Sequence, residues 1–496
     1  MFLSGPAGAG KSHVINSCQE QCKQFCDHAE IPFDIDIFKI TACTGSAAAQ
    51  LISGMTIHKA AKLDSKTKVT HSSPEWINTN TLFIDEVSFM SENMLVKIDR
   101  NLRTLTDVRN KPFGGVNLVF VGDFRQLKPV GDKPVYEKYS CLWQGAVNKA
   151  IFLKQSHRFK DDPEWGQILE RISKGKATEN DFKKINERVI GKKNGVEIPN
   201  EGEVCYACPD NEARNAICTK IFYNHVKSTH PKISEPTSKP PENTIIIESR
   251  MFKDKTLHRR TFHESIYNCV GDANIKSFRN RHADPALKLY YKCPIMINTN
   301  KDIEKGLANG TLARFLGVKL KNDDKSKIKE KKIDGYKINT ISTEDVEYIL
   351  CEHWEGKKQP NGSIKPPKKF VIKSEMDKYT IRIKIHGQMV KINCKIEQFG
   401  VLINNATTGH KLQGMSKDIL VVTDYWYKTI NWVYVVLSRV RTLKGLFLKK
   451  PLDPTKYFVN DPFLVEEEER LLEVEKQTLD NIDLQIYDHQ SDTILV

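Results

Sequence analysis

Residues whose types and spacing could handle a polyphosphate stand almost at the start of the chain: Gly5-Pro6-Ala7-Gly8-Ala9-Gly10-Lys11-Ser12. A glycine, four residues, then Gly-Lys-Ser is the phosphate-loop pattern. Its backbone N–H groups wrap the phosphates, its lysine adds charge at the β and γ positions, and its serine hydroxyl reaches Mg²⁺. Gly5, Gly8, Gly10, Lys11 and Ser12 are therefore the nucleotide-binding set. A second pair, Asp85-Glu86, ends the short apolar stretch Thr81-Leu82-Phe83-Ile84. A carboxylate at the carboxyl end of a buried strand can hold a Mg²⁺ shell, and the next one can polarise an attacking water. That makes Ser12 and Asp85 the metal set and Glu86 the base. A third polar tip, Gly122-Asp123-Phe124-Arg125-Gln126-Leu127, follows the stretch Val116–Val121, apolar except for Asn117. Gln126 there either senses a γ-phosphate or sits in a capped surface turn.

Holding three such tips together takes an open parallel α/β sheet with its ligands at the carboxyl edge. Phe2-Leu3 reads as the end of its first strand, and His13–Phe25 as a helix whose dipole points at the phosphates. Ile31–Thr41 is rich in apolar and β-branched residues and reads as strand. It leads into the small residues Thr44-Gly45-Ser46-Ala47-Ala48-Ala49, and Thr56-Ile57-His58 follows. Helical patterns at Trp165–Ile172 and Asp181–Val189, and a strand at Val204–Ala207, place the start of a second sheet domain near residue 150.

Residues 225–290, with Pro231, Pro236, Pro240 and Pro241, fit that pattern poorly and read as a loop-rich insertion. Lys319–Lys332 holds seven lysines against three acids and reads as a solvated loop. Short strands at Val346–Leu350, Lys369–Ile372 and Tyr379–Ile385, with turns at Asn361-Gly362 and His386-Gly387, suit a small inserted β-barrel. The sheet resumes at Phe399–Ile403 and Ile419–Thr423, and Trp432–Arg439 reads as a helix. A leucine pattern over Leu464–Leu479 marks a docking helix with an acidic end and no chemistry.

The 496 residues exceed one hydrophobic core, so two to four domains are expected. A formal charge of +14 and a pI near 9.0 favour a polyanionic partner. No run of about 18 apolar residues exists to span a bilayer, and no secretory pattern precedes the phosphate loop. The 12 cysteines then read as reduced thiols. Cys18, Cys22 and Cys26 share one helix face and the lone Cys205-x-x-Cys208 lies in a strand, so both groups read as packing rather than metal binding.

The ordered set GPAGAGKS, ACTGSAAA with TIH, DEVS, GDFRQLKPV, LKQSHRF, ATTGHKLQGMS and YVVLSR resembles the Pif-one-like DNA helicases, relatives of the RecD-type superfamily-one branch. The likeness spans about residues 1–450 and is thinnest in the middle insertions. It implies two RecA-like phosphate-loop domains with parallel sheets, ATP bound between them, and single-stranded DNA crossing both. The implied division is 1–150 for the first domain, with a small duplex-splitting wedge near 62–78. The second domain takes 151–316 and 400–450, an SH3-like accessory insertion 317–399, and a C-terminal helix and tail 451–496. By the same resemblance Lys11, Asp85, Glu86, Gln126, Arg158 and Arg439 form the catalytic set, the two arginines acting as fingers. Gly414 joins the nucleotide-binding set. Thr44, Gly45, Thr56, His58, Thr407, His410 and Lys411 would contact DNA, with Phe124 and Phe159 read as core residues ahead of base-stacking platforms.

The implied function is ATP-dependent unwinding of duplex DNA with 5′-to-3′ movement on a single strand, in repair, recombination, replication or telomere maintenance. ATP and Mg²⁺ are the implied cofactors, single-stranded and forked DNA the partners, a monomer the state, and the nucleus the location. Lys365-Pro366-Pro367-Lys368-Lys369 reads as an import signal or a loop of the barrel. Two other readings stand beside this one: a DNA-stimulated ATPase that translocates without unwinding, and a nucleic-acid-binding remnant without turnover. Relatives carry a glutamine-containing adenine motif before the phosphate loop, whereas four residues precede Gly5 here. Either the natural start lies upstream or adenine is held another way. Lys128 stands where relatives often have proline.

Overall fold

Six parallel strands organise the first part of the chain, in the computed structural model that describes residues 1–48, 51–63, 69–137, 141–191, 195–199, 204–230, 240–253, 256–257, 286–299, 307, 309–354, 366–385, 388–457 and 461–491. Their spatial order is β3-β2-β4-β5-β1-β6, with β1 Phe2–Ser4, β2 Phe38–Ala42, β3 Met55–Thr56, β4 Thr81–Asp85, β5 Asn117–Gly122 and β6 Ala150–Phe152. Every pairing in the sheet is parallel. A parallel sheet is covered on both faces, which is why β1, β4 and β5 read as nearly continuous apolar runs. One covering element is the helix Glu92–Leu105, whose Leu95, Ile98, Leu102 and Leu105 are fully buried. They repeat at three- and four-residue spacing, one helix face. Ser91 caps that helix, its Oγ accepting from Met94 N at 3.1 Å.

The chain divides into two units, one of residues 1–203, 302–306 and 412–496, the other of 204–301 and 307–411. The first division therefore falls at Val204 rather than at 150, and the physical cause is visible in β6. Ala150–Phe152 pairs with β1 in register, Leu3 opposite Ile151, so the segment following it stays with the phosphate loop. The C-terminal helix Pro462–Ser491 closes the same edge. Glu475 Oε1 accepts from Phe152 N at 2.6 Å, and Thr478 Oγ1 from Ala150 N at 3.1 Å. These two side chains satisfy an edge strand that would otherwise be open. Leu464 and Leu471 of the helix are buried, and Trp143 Nε1 donates to Glu467 at 2.7 Å.

In the second unit, Val204–Cys208 pairs in parallel with Ala406–Thr408, followed by the helix Asn211–Thr229. Cys205 and Cys208 are buried thiols of that strand, while Cys18, Cys22 and Cys26 in the first unit are only half-buried. The β-rich part is mostly antiparallel. Lys369–Ile372, Val346–His353, Leu312–Leu320, Pro294–Ile297 and Val401–Ile403 form one five-stranded sheet, and Ser374–Ile385 pairs with Gln388–Phe399.

The lysine-rich stretch is not a loop throughout. Lys329–Ile333 is an exposed edge strand joined to Tyr336–Ser342 by Asp334-Gly335, both with positive φ (49° and 85°), the backbone a tight primed hairpin turn requires. Lysines on such an edge also discourage pairing with another chain. Most of 231–285, the turns at 361–362 and 386–387, residues 64–68 of the expected wedge and Lys365 lie outside the described residues.

Candidate nucleotide and nucleic-acid site

The phosphate loop joins β1 to the helix α1 (Lys11–His28). Gly8 has φ 81°, and a Cβ there would meet Arg158 Cβ at 2.4 Å. Only glycine permits both the turn and that approach. Lys11 Nζ donates to the carbonyls of Gly5 at 2.6 Å and Pro6 at 3.1 Å, and so lies folded over the loop. Ser12 Oγ donates to Asp85 Oδ2 at 3.3 Å. That places a hydroxyl and a carboxylate side by side at the carboxyl ends of β1 and β4, a hard-oxygen donor pair suited to Mg²⁺. Burial, then the adjacent Glu86 charge, pushes the Asp85 carboxyl well above the usual carboxylate range.

Glu86 adopts left-handed backbone, φ 55° and ψ 44°, with its N–H donated to Asp85 Oδ1 at 2.8 Å. For a non-glycine residue this costs free energy, and such strain collects where a side chain must be aimed. Gln413 Nε2 donates to Glu86 Oε2 at 2.9 Å and to Ser88 Oγ at 3.0 Å. Gly414, φ 80°, is adjacent: a Cβ there would lie 3.8 Å from Glu86 Oε1. Gln126 is buried, its Nε2 3.4 Å from Asp123 Oδ2, its carbonyl accepting from Asn431 Nδ2, and its Oε1 without a partner.

Arg158 follows β6 on a segment laid against the loop: His157 N donates to Gly8 O at 3.0 Å and Ser156 Oγ to Ala7 O at 2.7 Å. Its Nη1 donates to Ser438 O at 3.0 Å. Arg439 is fully buried, with Nε on Val435 O at 2.8 Å and Nη2 on Ser438 Oγ at 2.7 Å. Trp165, buried in the helix Pro163–Ser173, ties the two segments together by donating to Val440 O at 3.2 Å. Among the described residues no carboxylate forms an ion pair with either arginine. Burial and then the neighbouring Arg439 push Arg158 down to about 9, and burial lowers Arg439 as well. Two unpaired cations held this way are costly unless an anion joins them.

Sequence reasoning did not single out Gln413, Ser88 or the buried Tyr434, whose hydroxyl is pushed up by burial. The motif letters of the first two were in view, but a glutamine or serine carries no local sign of its partner. Phe124 and Phe159 are core residues: both are buried, and Phe124 stacks on Phe2 at 5.0 Å.

Thr44-Gly45 and Thr56-His58 lie together at the same sheet edge, because β2 and β3 pair in parallel with Ala42 opposite Thr56. Both threonines cap short helices, Thr44 Oγ1 accepting from Ala47 N and Thr56 Oγ1 from Lys59 N, each at 3.3 Å. In the second unit, Thr407 is buried in its strand with Oγ1 unpartnered, and His410 and Lys411 follow in the turn of helix Gly409–Leu412. Burial, then nearby Arg214, pushes Lys411 down to about 8. The amine is charged below that value and neutral above it. If Lys411 holds a DNA phosphate, affinity for a short oligonucleotide is expected to weaken from about pH 7 to about pH 9, and Lys411→Gln to flatten that slope. Fluorescence anisotropy across that range checks it.

Among the described residues no helix is long and apolar enough to cross a membrane. Residues 1–181 match the family model described as PIF1-like helicase. The ATP-dependent DNA helicase PIF1 of Saccharomyces cerevisiae is 30% identical over 204 residues, which span 38% of this chain and 23% of that protein. Among solved structures, Pif1 helicase from Candida albicans aligns with a TM-score of 0.63 at 20% identity, covering 95% of each chain. Bacteroides Pif1 bound to ssDNA aligns at 0.61 and 19% identity, covering 96% of this chain and 94% of that one. The α/β organisation of this chain fits the RecA-like domains of these two solved structures. A family-model match over residues 1–181 and the fold of Pif1 helicases over nearly the whole chain are thus what these likenesses establish.

Proposed function

We propose that the chain is an ATP-driven DNA helicase that moves 5′ to 3′ on single-stranded DNA. The observation that carries this reading is the meeting of Arg158 and Arg439, both without a carboxylate partner among the described residues, beside the phosphate loop and the Asp85-Glu86 pair. ATP supplies the missing anion. Lys11 would leave the Gly5 and Pro6 carbonyls for the phosphates, and the loop amides would hold them. Ser12 and Asp85 would hold Mg²⁺, which supplies charge neutralisation on the phosphates. Glu86 would take a proton from the attacking water, Gln126 would read the γ-phosphate, and the two arginines would stabilise the charge that develops there.

Thr44, Gly45, Thr56 and His58 in one unit, and Thr407, His410 and Lys411 in the other, give hydroxyls, amides and cations suited to phosphate positioning without base readout. The net charge of +14 supports the same partner. The S. cerevisiae relative is named an ATP-dependent DNA helicase and the Bacteroides neighbour is bound to ssDNA, which agrees with this reading. In this reading residues 317–399 would serve as the SH3-like accessory module, and 62–78 as the wedge.

Strand displacement on tailed forks tests the proposal. ATP-dependent release is expected from a fork with a free 5′ single-stranded tail and not from one with only a 3′ tail. ATP turnover without release from either fork would instead establish the translocating ATPase that does not unwind.

A further inference from the structure

We propose that Gln413 positions the water that Glu86 activates, by accepting a hydrogen bond from it at Oε1. The inference rests on the reading of this site as an ATPase. Gln413 is buried, and its amide nitrogen is committed to two acceptors, Glu86 Oε2 at 2.9 Å and Ser88 Oγ at 3.0 Å. Flipping the amide would set its carbonyl against the carboxylate, so the orientation is fixed by chemistry. What remains is Gln413 Oε1, a buried acceptor with no partner. A buried carbonyl left without a donor calls for a water or a ligand.

The neighbouring atoms fit that water. Gln413 occupies Oε2 of Glu86, and among the described residues no hydrogen bond is made to Oε1. Gly414 lies beside that second oxygen, a Cβ there standing at ordinary contact distance, 3.8 Å. The left-handed φ of 80° at Gly414 independently restricts the position to glycine. Gln126 Oε1 and Asn431 Oδ1 are likewise buried and unpartnered, with Asn431 bonded to the Gln126 carbonyl.

A water with one hydrogen on Glu86 Oε1 and the other on Gln413 Oε1 has its lone pair free. As that oxygen bonds to the γ-phosphorus, the bond to the bridging oxygen of ADP breaks. One proton passes to Glu86 Oε1, and the other stays on the new phosphate oxygen while bonded to Gln413. A positioned glutamine plays a comparable part in small GTPases. Here the same amide also holds the base, so one side chain fixes both reactants.

The test compares wild type with Gln413→Leu and Gln413→Met, two apolar replacements of similar size. The measurements are kcat and KM for ATP with saturating single-stranded DNA, the affinity for a fluorescent ADP, and the thermal unfolding midpoint. The expected result is a loss of about 10²-fold or more in kcat with KM, ADP affinity and unfolding unchanged. Near-wild-type kcat in both variants, or a loss that follows ADP affinity or unfolding, overturns the role of Gln413. A wild-type chain that hydrolyses no ATP overturns the ATPase reading itself, which separates the two failures.

Discussion

Replacing Arg158 by alanine is expected to lower ATP turnover by about 10³- to 10⁵-fold, the range for loss of an arginine finger. The argument is electrostatic. Arg158 and Arg439 share Ser438, one through its carbonyl and one through its hydroxyl, and neither has an acidic partner among the described residues. Burial and mutual repulsion lower Arg158 to about 9, so a phosphate arriving there meets cations that gain by its presence. Lysine should not substitute, because a point charge cannot repeat the fork that reaches Ser438 and an anion together. Arg439 is the harder test, since its guanidinium also holds Val435 O inside the fold, and its loss will cost stability as well. Steady-state ATP hydrolysis, read beside nucleotide binding, checks the prediction at Arg158. Retained turnover would remove the finger assignment.

Glu86→Gln should abolish most hydrolysis, by about 10²- to 10⁴-fold, the share a positioned general base contributes, while leaving nucleotide binding intact. The substitution keeps the size of the side chain, and an amide oxygen can still accept from Gln413. The backbone N–H bond to Asp85 is untouched. Only the capacity to take a proton is lost. Single-turnover hydrolysis and ADP affinity, measured on the same preparation, separate lost chemistry from lost binding.

The phosphate loop, Asp85-Glu86 and the strands β1, β4 and β5 were legible because their chemistry needs contiguous residues at fixed spacing on apolar strands. The two arginines were reached only by resemblance. A single arginine has no local signature, and Arg158 meets Gly8 through a long-range approach that the glycine alone does not announce. The same limit hid Gln413, whose partner lies far away in sequence. The division at 150 looked natural because an apolar stretch followed by helices resembles a new domain. Only the pairing of β6 with β1 shows that residues 151–203 stay with the first unit. The leucine pattern of the C-terminal helix announced docking, but not that Glu475 and Thr478 would cap the β6 edge, since that requires knowing which strand is last. Lys319–Lys332 read as a loop on its lysine count alone, without regard to the turn-forming Asp334-Gly335 just beyond it, which closes the hairpin.

The measurement that bears most directly on the account is ATP hydrolysis by this chain with and without single-stranded DNA. The account predicts turnover that rises steeply and saturably as DNA is added. Turnover indifferent to DNA, or none at all from a chain that binds DNA tightly, would contradict it.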